Sequence, residues 1–179
     1  MKKLAGKELE ARALRVKLLV LDVDGVMTDG TVWQDADGGI TKRFHIRDGH
    51  GLVLLKKHAG IPLAIISGRS DPATVHRAKD LGFAHVLQGV HHKLPAAKEL
   101  AAGLSLGLDE IAFMGDDIID VPLMEAVGLG AAPSDACPEA IEAAAFVSGF
   151  AGGQGAVREL CELLMKARGV WSVAIDAMR

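Results

Sequence analysis

Four short apolar runs in this chain each lead into polar groups suited to chemistry. Leu18-Leu19-Val20-Leu21 runs into Asp22-Val23-Asp24-Gly25, and Ala64-Ile65-Ile66 runs into Ser67-Gly68-Arg69. Lys93 follows a third apolar stretch, and Ile111-Ala112-Phe113-Met114 meets Gly115-Asp116-Asp117. Buried parallel strands read as short continuous apolar runs, and open α/β sheets bind ligands at the strands' carboxyl ends. If these runs are neighbouring strands, an acidic cluster, a hydroxyl and an ammonium converge on one crevice. That combination suits a phosphoryl group handled with a divalent cation.

The segments between the runs read as helices and turns. Residues 7–15 form an amphipathic helix and 17–23 the first strand. Thr31-Val32-Trp33 and residues 40–44 flank Asp37-Gly38, a hairpin signal. A helix over 49–59 stops at Gly60, a strand occupies 61–66, and Ser70 or Asp71 caps a helix opened by Pro72 and closed near Gly82. Strand 84–87, helix 94–102, strand 111–114 and helix 118–126 follow. Short strands at 128–131 and 146–147 flank a helix over 138–144, a helix spans 155–167, and a tail runs from 169 to 179. Strands alternating with helices imply an α/β fold: a Rossmann-like, doubly wound, mainly parallel sheet with helices on both faces. The hairpin at about 30–45 is a small flap on a single domain.

At 179 residues, half of them hydrophobic, the chain can build one substantial core. A net charge of −3 gives no general case for nucleic acid or an anionic membrane as partner. Cys137 and Cys161 lack metal-type spacing and read as reduced, buried small hydrophobes. The charged start Met1-Lys2-Lys3 lacks the apolar stretch of a signal peptide, so the expectation is a cytoplasmic protein.

Asp22 and Asp24, two apart in an extended segment, point their side chains to the same face. A lone Asp-x-Asp is equally explained by a capped turn. In Gly115-Asp116-Asp117-x-x-Asp120, capping accounts for Asp117 or Asp120. Three carboxylates pooled at a strand end need a cation to offset their repulsion, and hard oxygen ligands suit Mg²⁺. Ser67-Gly68 alone is a turn, and Lys93 alone a surface lysine. His91 and His92 are adjacent and point apart in most conformations, which disfavours a transition-metal site.

The ordered set Asp-x-Asp, Ser, Lys, Gly-Asp-Asp resembles the haloacid dehalogenase-like phosphohydrolases over about residues 17–168. Residues 22–30, 44–51, 65–69, Gln88-Gly89 with Lys93, 115–120 and 152–159 resemble the branch acting on 3-deoxy-D-manno-octulosonate 8-phosphate. The resemblance implies that Asp22 is the nucleophile and Asp24 the general acid and base. It implies that Ser67 and Lys93 hold the phosphoryl group, and that Asp22, the Asp24 carbonyl and Asp116 bind Mg²⁺. Asp117 and Asp120 would support metal or lysine from behind. Gly68, Arg69, Arg47 and Asp48 are further candidate substrate contacts, the last two at the mouth of the site.

The intervals between motifs leave no room for a large lid, so the enzyme is expected to lack a cap domain. Capless relatives form homotetramers through their hairpins, and Val32, Trp33, Ile40 and Phe44 would be costly on a free hairpin. Packing onto their own core is the alternative. The tail could dock on its own subunit or a neighbour's. Many relatives carry arginine where this chain has Gln154, a difference that bears on the substrate. Lipopolysaccharide synthesis is the implied setting. A nonulosonate 9-phosphate such as N-acylneuraminate 9-phosphate is the rival substrate, and a phospho-accepting signalling module the rival class.

Overall fold

The computed structural model describes residues 6–179; the charged start, Met1–Lys3, lies outside them. In chain order the elements are α1 (Lys7–Arg15), β1 (Leu18–Leu21), the hairpin strands β2 (Trp33–Gln34) and β3 (Ile40–Thr41), α2 (Ile46–Leu54), β4 (Leu63–Ile66), α3 (Pro72–Leu81) and β5 (His85–Leu87). The second half adds α4 (Lys93–Gly103), β6 (Ile111–Met114), α5 (Val121–Ala126), β7 (Leu129–Ala132), α6 (Pro138–Ala143), β8 (Phe146–Val147), α7 (Ala156–Ala167) and α8 (Trp171–Asp176).

Six strands form one sheet in the order β5-β4-β1-β6-β7-β8, every pairing parallel. The chain winds outward from β1 through β4 to β5, then returns to lay β6 on the other side of β1. That reversal is a topological switch point, where strand ends splay and leave a crevice.

Alternation along each strand divides the core in two. Leu19, Leu21, Leu63 and Ile65 face a layer that includes Ala13 of α1, Leu52 of α2, and Leu160 and Leu164 of α7. Leu18, Val20, Ile66 and Phe113 face Ala97 of α4, Leu123 and Met124 of α5, and Ala140 of α6. Burial on both faces is why the strands are apolar throughout rather than alternating.

Three segments depart from the expected pattern. The helix expected over 49–59 starts at Ile46 and ends in a wider π-type turn over Leu55–Ala59. Gly49 and Gly51 are buried in α2, which packs against α7. The tail folds as α8 against α7, with Ala174 buried and the Trp171 ring 5.2 Å from the Arg158 guanidinium. Each hairpin strand keeps only two paired residues, and Trp33 remains 71% exposed. Among the described residues no helix is long and apolar enough to cross a membrane.

Candidate active site

The crevice opens where β1, β4 and β6 end. Asp22 extends β1 by one residue, its amide donating to the Met114 carbonyl of β6 at 3.0 Å. Lys93, the first residue of α4, is buried and reaches back under the sheet end. Its Nζ lies 2.6 Å from Asp22 Oδ1 and 2.6 Å from Asp120 Oδ1. The other oxygen of Asp120 accepts the amides of Asp116 and Asp117 at 3.0 and 3.2 Å. Asp120 therefore ties the loop after β6 to the buried lysine. Asp117 is exposed, and its carboxylate accepts the Ile118 amide at 2.8 Å.

Asp22, Asp116 and Asp120 each offer a carboxylate oxygen within 4.8 Å of the others. Gly25 makes this approach possible. It has φ +92°, and a Cβ on it would stand 2.0 Å from Asp116 Oδ2. Burial pushes the Asp116 carboxyl up to about 8, helped by the charges of Asp22 and Asp120. Burial also raises Asp22 to about 6, against the pull of Lys93 and with a push from Asp120. Burial works against the Lys93 ammonium, yet its two carboxylate neighbours prevail and hold its pKa above the ordinary lysine value.

Carboxylates this crowded and this reluctant to ionise suit a small, hard divalent cation. Asp120 has both oxygens engaged, by Lys93 and by two amides, whereas Asp22 gives Lys93 only Oδ1, so Asp22 and Asp116 are the better-placed carboxylate donors. The cluster contains no histidine, and His91 and His92 are both exposed.

Asp24 does not join that cluster; its partner is Lys42, which sequence reading missed. Lys42 Nζ lies 2.8 Å from Asp24 Oδ1 and hydrogen-bonds Oδ2 at 3.0 Å. It also sits 2.7 Å from Asp71 Oδ2 and donates to Thr74 Oγ at 3.3 Å. Asp71 and Thr74 open α3, where Asp71 caps the helix by accepting the Thr74 amide at 2.8 Å. Lys42 follows β3 directly, in a run Thr41-Lys42-Arg43 that reads as solvated hairpin surface, so no sequence signal marks its burial.

Ser67 is buried at the end of β4, and its hydroxyl accepts the Arg69 amide at 3.4 Å. Gly68 is half-buried and Arg69 exposed beside it. Arg47 lines a cavity of about 370 Å³ with Phe150, Gln154, Arg158 and Glu162, along the seam between α2 and α7. Neither Asp22 nor Asp116 lines this cavity.

Asp48 is buried, its carboxylate accepting the amides of Gly155 at 3.3 Å and Arg158 at 2.8 Å. The first turn of α7 has no side-chain cap of its own, and Asp48 satisfies those donors from across the fold.

The glycine segment before α7 braces the Asp22 loop. Gly153 donates to the Val26 carbonyl at 3.0 Å, and Gly152 donates to Asp135 Oδ1 at 2.9 Å. A Cβ on Gly152 would fall 1.8 Å from the Gly25 carbonyl oxygen.

Comparison with known proteins agrees with this geometry. A family model described as haloacid dehalogenase-like hydrolase matches residues 82–160. The 3-deoxy-D-manno-octulosonate 8-phosphate phosphatase KdsC of Escherichia coli strain K12 is 43% identical over 159 residues, covering 89% of this chain and 84% of that protein. The phosphatase of that name from Moraxella catarrhalis, crystallised with magnesium, phosphate and KDO, superposes with a TM-score of 0.95 at 36% identity. That match covers 98% of this chain and all of the other. The Haemophilus influenzae phosphatase, in a cobalt-bound form, gives a TM-score of 0.86 at 36% identity over 93% of this chain and 95% of its own. Likeness at this level spans nearly the whole chain. It therefore makes the chain a member of the 3-deoxy-D-manno-octulosonate 8-phosphate phosphatase family of haloacid dehalogenase-like hydrolases.

Proposed function

We propose that this chain is a Mg²⁺-dependent phosphatase that hydrolyses 3-deoxy-D-manno-octulosonate 8-phosphate to the free sugar acid and phosphate, serving lipopolysaccharide biosynthesis. The observation that carries the reaction is the Asp22 carboxylate at the end of β1, bridged by buried Lys93 to Asp120 and flanked by Asp116. The substrate rests on relatives of that activity, similar over nearly the whole chain.

Asp22 attacks the phosphorus; an Asp22 oxygen–phosphorus bond forms and the bond from phosphorus to the sugar oxygen breaks. Asp24 gives its proton to the departing alkoxide. It then takes a proton from the water that cleaves the aspartyl-phosphate, releasing phosphate and regenerating Asp22. Lys93 offsets the phosphoryl charge, with Ser67, Gly68 and Arg69 as further contacts and Arg47 farther out. Asp22, the Asp24 backbone carbonyl and Asp116 would hold Mg²⁺, which supplies the charge that lets a carboxylate approach a phosphate dianion. Asp117 and Asp120 support that arrangement from the loop after β6.

The deciding measurement compares kcat/KM on 3-deoxy-D-manno-octulosonate 8-phosphate and N-acylneuraminate 9-phosphate in Mg²⁺. We expect the eight-carbon ester to be preferred by at least ~10-fold; preference for the nine-carbon ester would overturn the substrate.

We also propose a homotetramer joined through the hairpins, supported by the exposure of Trp33 on a two-stranded flap. Sedimentation should give four chains per particle; a monomer at assay concentration would refute it. A cytoplasmic location fits a substrate whose charges bar it from crossing a bilayer unaided, and cell fractionation tests it.

A further inference from the structure

Lys42 lies beside Asp24, and the phosphatase reading has given it no task. Its stem and ammonium are completely buried, an arrangement that carries a large desolvation cost unless the charge is fully paired. An ammonium has three N–H donors and no acceptor. Lys42 meets three polar neighbours with them: Asp24 at 3.0 Å, Asp71 at 2.7 Å and Thr74 at 3.3 Å. Two of those three stand on the first turn of α3, and Thr74 Oγ itself donates to Asp71 Oδ2 at 3.1 Å. The ammonium therefore cannot turn without breaking contacts to a rigid helix end.

The contact to Asp24 spans both carboxylate oxygens. Nζ stands 2.8 Å from Oδ1 and hydrogen-bonds Oδ2 at 3.0 Å. An ammonium held against both oxygens and pinned to the start of α3 fixes the rotation of the Asp24 carboxyl group. From this we propose that Lys42 is a positioning residue for the proton-transfer steps. Braced by Asp71 and Thr74, it holds the Asp24 carboxyl group in one orientation toward the reacting ester. The hairpin thereby reaches the chemistry through the residue that follows β3.

This inference rests on the phosphatase reading, and dependence on the leaving group separates the two. Nitrophenolate departs without a proton, whereas a sugar alkoxide requires one in the transition state. kcat/KM reports the phosphoryl-transfer step and is measured over a series of aryl and alkyl phosphates, including the sugar-acid phosphate. Lys42→Met leaves Asp71 buried without its cation, so Lys42→Met/Asp71→Asn is measured beside it; asparagine still caps α3.

In either folded variant kcat/KM should fall by about 100-fold on the alkyl esters and at least ten times less on p-nitrophenyl phosphate. The plot of rate against leaving-group pKa should steepen. A parallel loss across the series, or no loss, would overturn the proposal, and so would failure of both variants to fold, which makes Lys42 purely structural. A wild-type enzyme inactive on the sugar-acid phosphate yet active on the simple esters would instead refute the substrate reading, with the Lys42 comparison still measurable.

Discussion

Lys93 Nζ lies 2.6 Å from Asp22 Oδ1 in a spot where the lysine side chain has no solvent contact. The same ammonium is 2.6 Å from Asp120. One cation thus stands between two carboxylates, and a third, Asp116, lies within 4.8 Å of both. The protein alone supplies too little positive charge for this cluster. That deficit is what a divalent cation corrects, and it ties folding to metal binding.

Removing either member of the Lys93–Asp22 pair should have opposite structural consequences. Asp22→Asn keeps the shape and leaves Lys93 paired with Asp120, so circular dichroism and Tm should stay near wild type. Turnover should fall by at least ~10³-fold. Lys93→Met strands buried carboxylates with no cation, costing about 3–5 kcal/mol without Mg²⁺, a Tm loss of roughly 10 °C. Near-wild-type turnover in Asp22→Asn would end the aspartyl-phosphate mechanism.

Asp116, raised to about 8, and Asp22, raised to about 6, are harder to ionise folded than at their unfolded value of 3.8. A raised carboxyl contributes stability that is full below the unfolded pKa and lost as pH rises through the folded one. Metal-free protein should therefore lose Tm, by roughly 5 °C, as pH climbs from about 5 to about 8.5. Mg²⁺ should restore it. Asp116→Asn should flatten the metal-free profile and weaken Mg²⁺ binding. Calorimetry in buffers of different ionisation enthalpy should show protons released as Mg²⁺ binds near neutral pH; no release would contradict the shifts.

How much of this was legible beforehand depends on the kind of residue. β1, β4 and β6 announce themselves because strands buried on both faces must be apolar, and Asp22, Ser67 and Asp116 are found by following each strand to its end. Lys93 was legible only as part of an ordered set, since a lone lysine defaults to the surface. Lys42 left no trace, because its burial depends on Asp71 and Thr74 meeting it across the fold. The bonds that Asp48 makes were equally hidden, since they reach across more than a hundred residues of chain. Asp48 stands in a motif-like segment but serves the backbone of α7.

Gly152 should be intolerant of even one methyl group. A Cβ there would lie 1.8 Å from the Gly25 carbonyl oxygen, and that atom is backbone with no rotamer to retreat to. Gly25 in turn shapes the contact with Asp116. Gly152→Ala should therefore displace the loop that follows Asp22 and lower kcat by about 10²-fold, because misplacement of about 1 Å costs that much. Mg²⁺ should bind more weakly as well. Wild-type kinetics in this variant would show that the glycine segment does not brace the catalytic loop.

Asp48→Ala should separate support of the fold from contact with substrate. Its carboxylate accepts the Gly155 and Arg158 amides at the start of α7, which packs along α1 and α2. Burial raises the Asp48 carboxyl, although the Arg158 amide and His45 pull the other way. Removing the side chain leaves two buried donors without a partner, a cost of about 2 kcal/mol and a Tm loss of roughly 5 °C. KM for the sugar-acid phosphate, measured well below Tm in saturating Mg²⁺, should stay within about threefold, since no uniform binding energy is lost. A large rise in KM with Tm unchanged would return Asp48 to the mouth of the site.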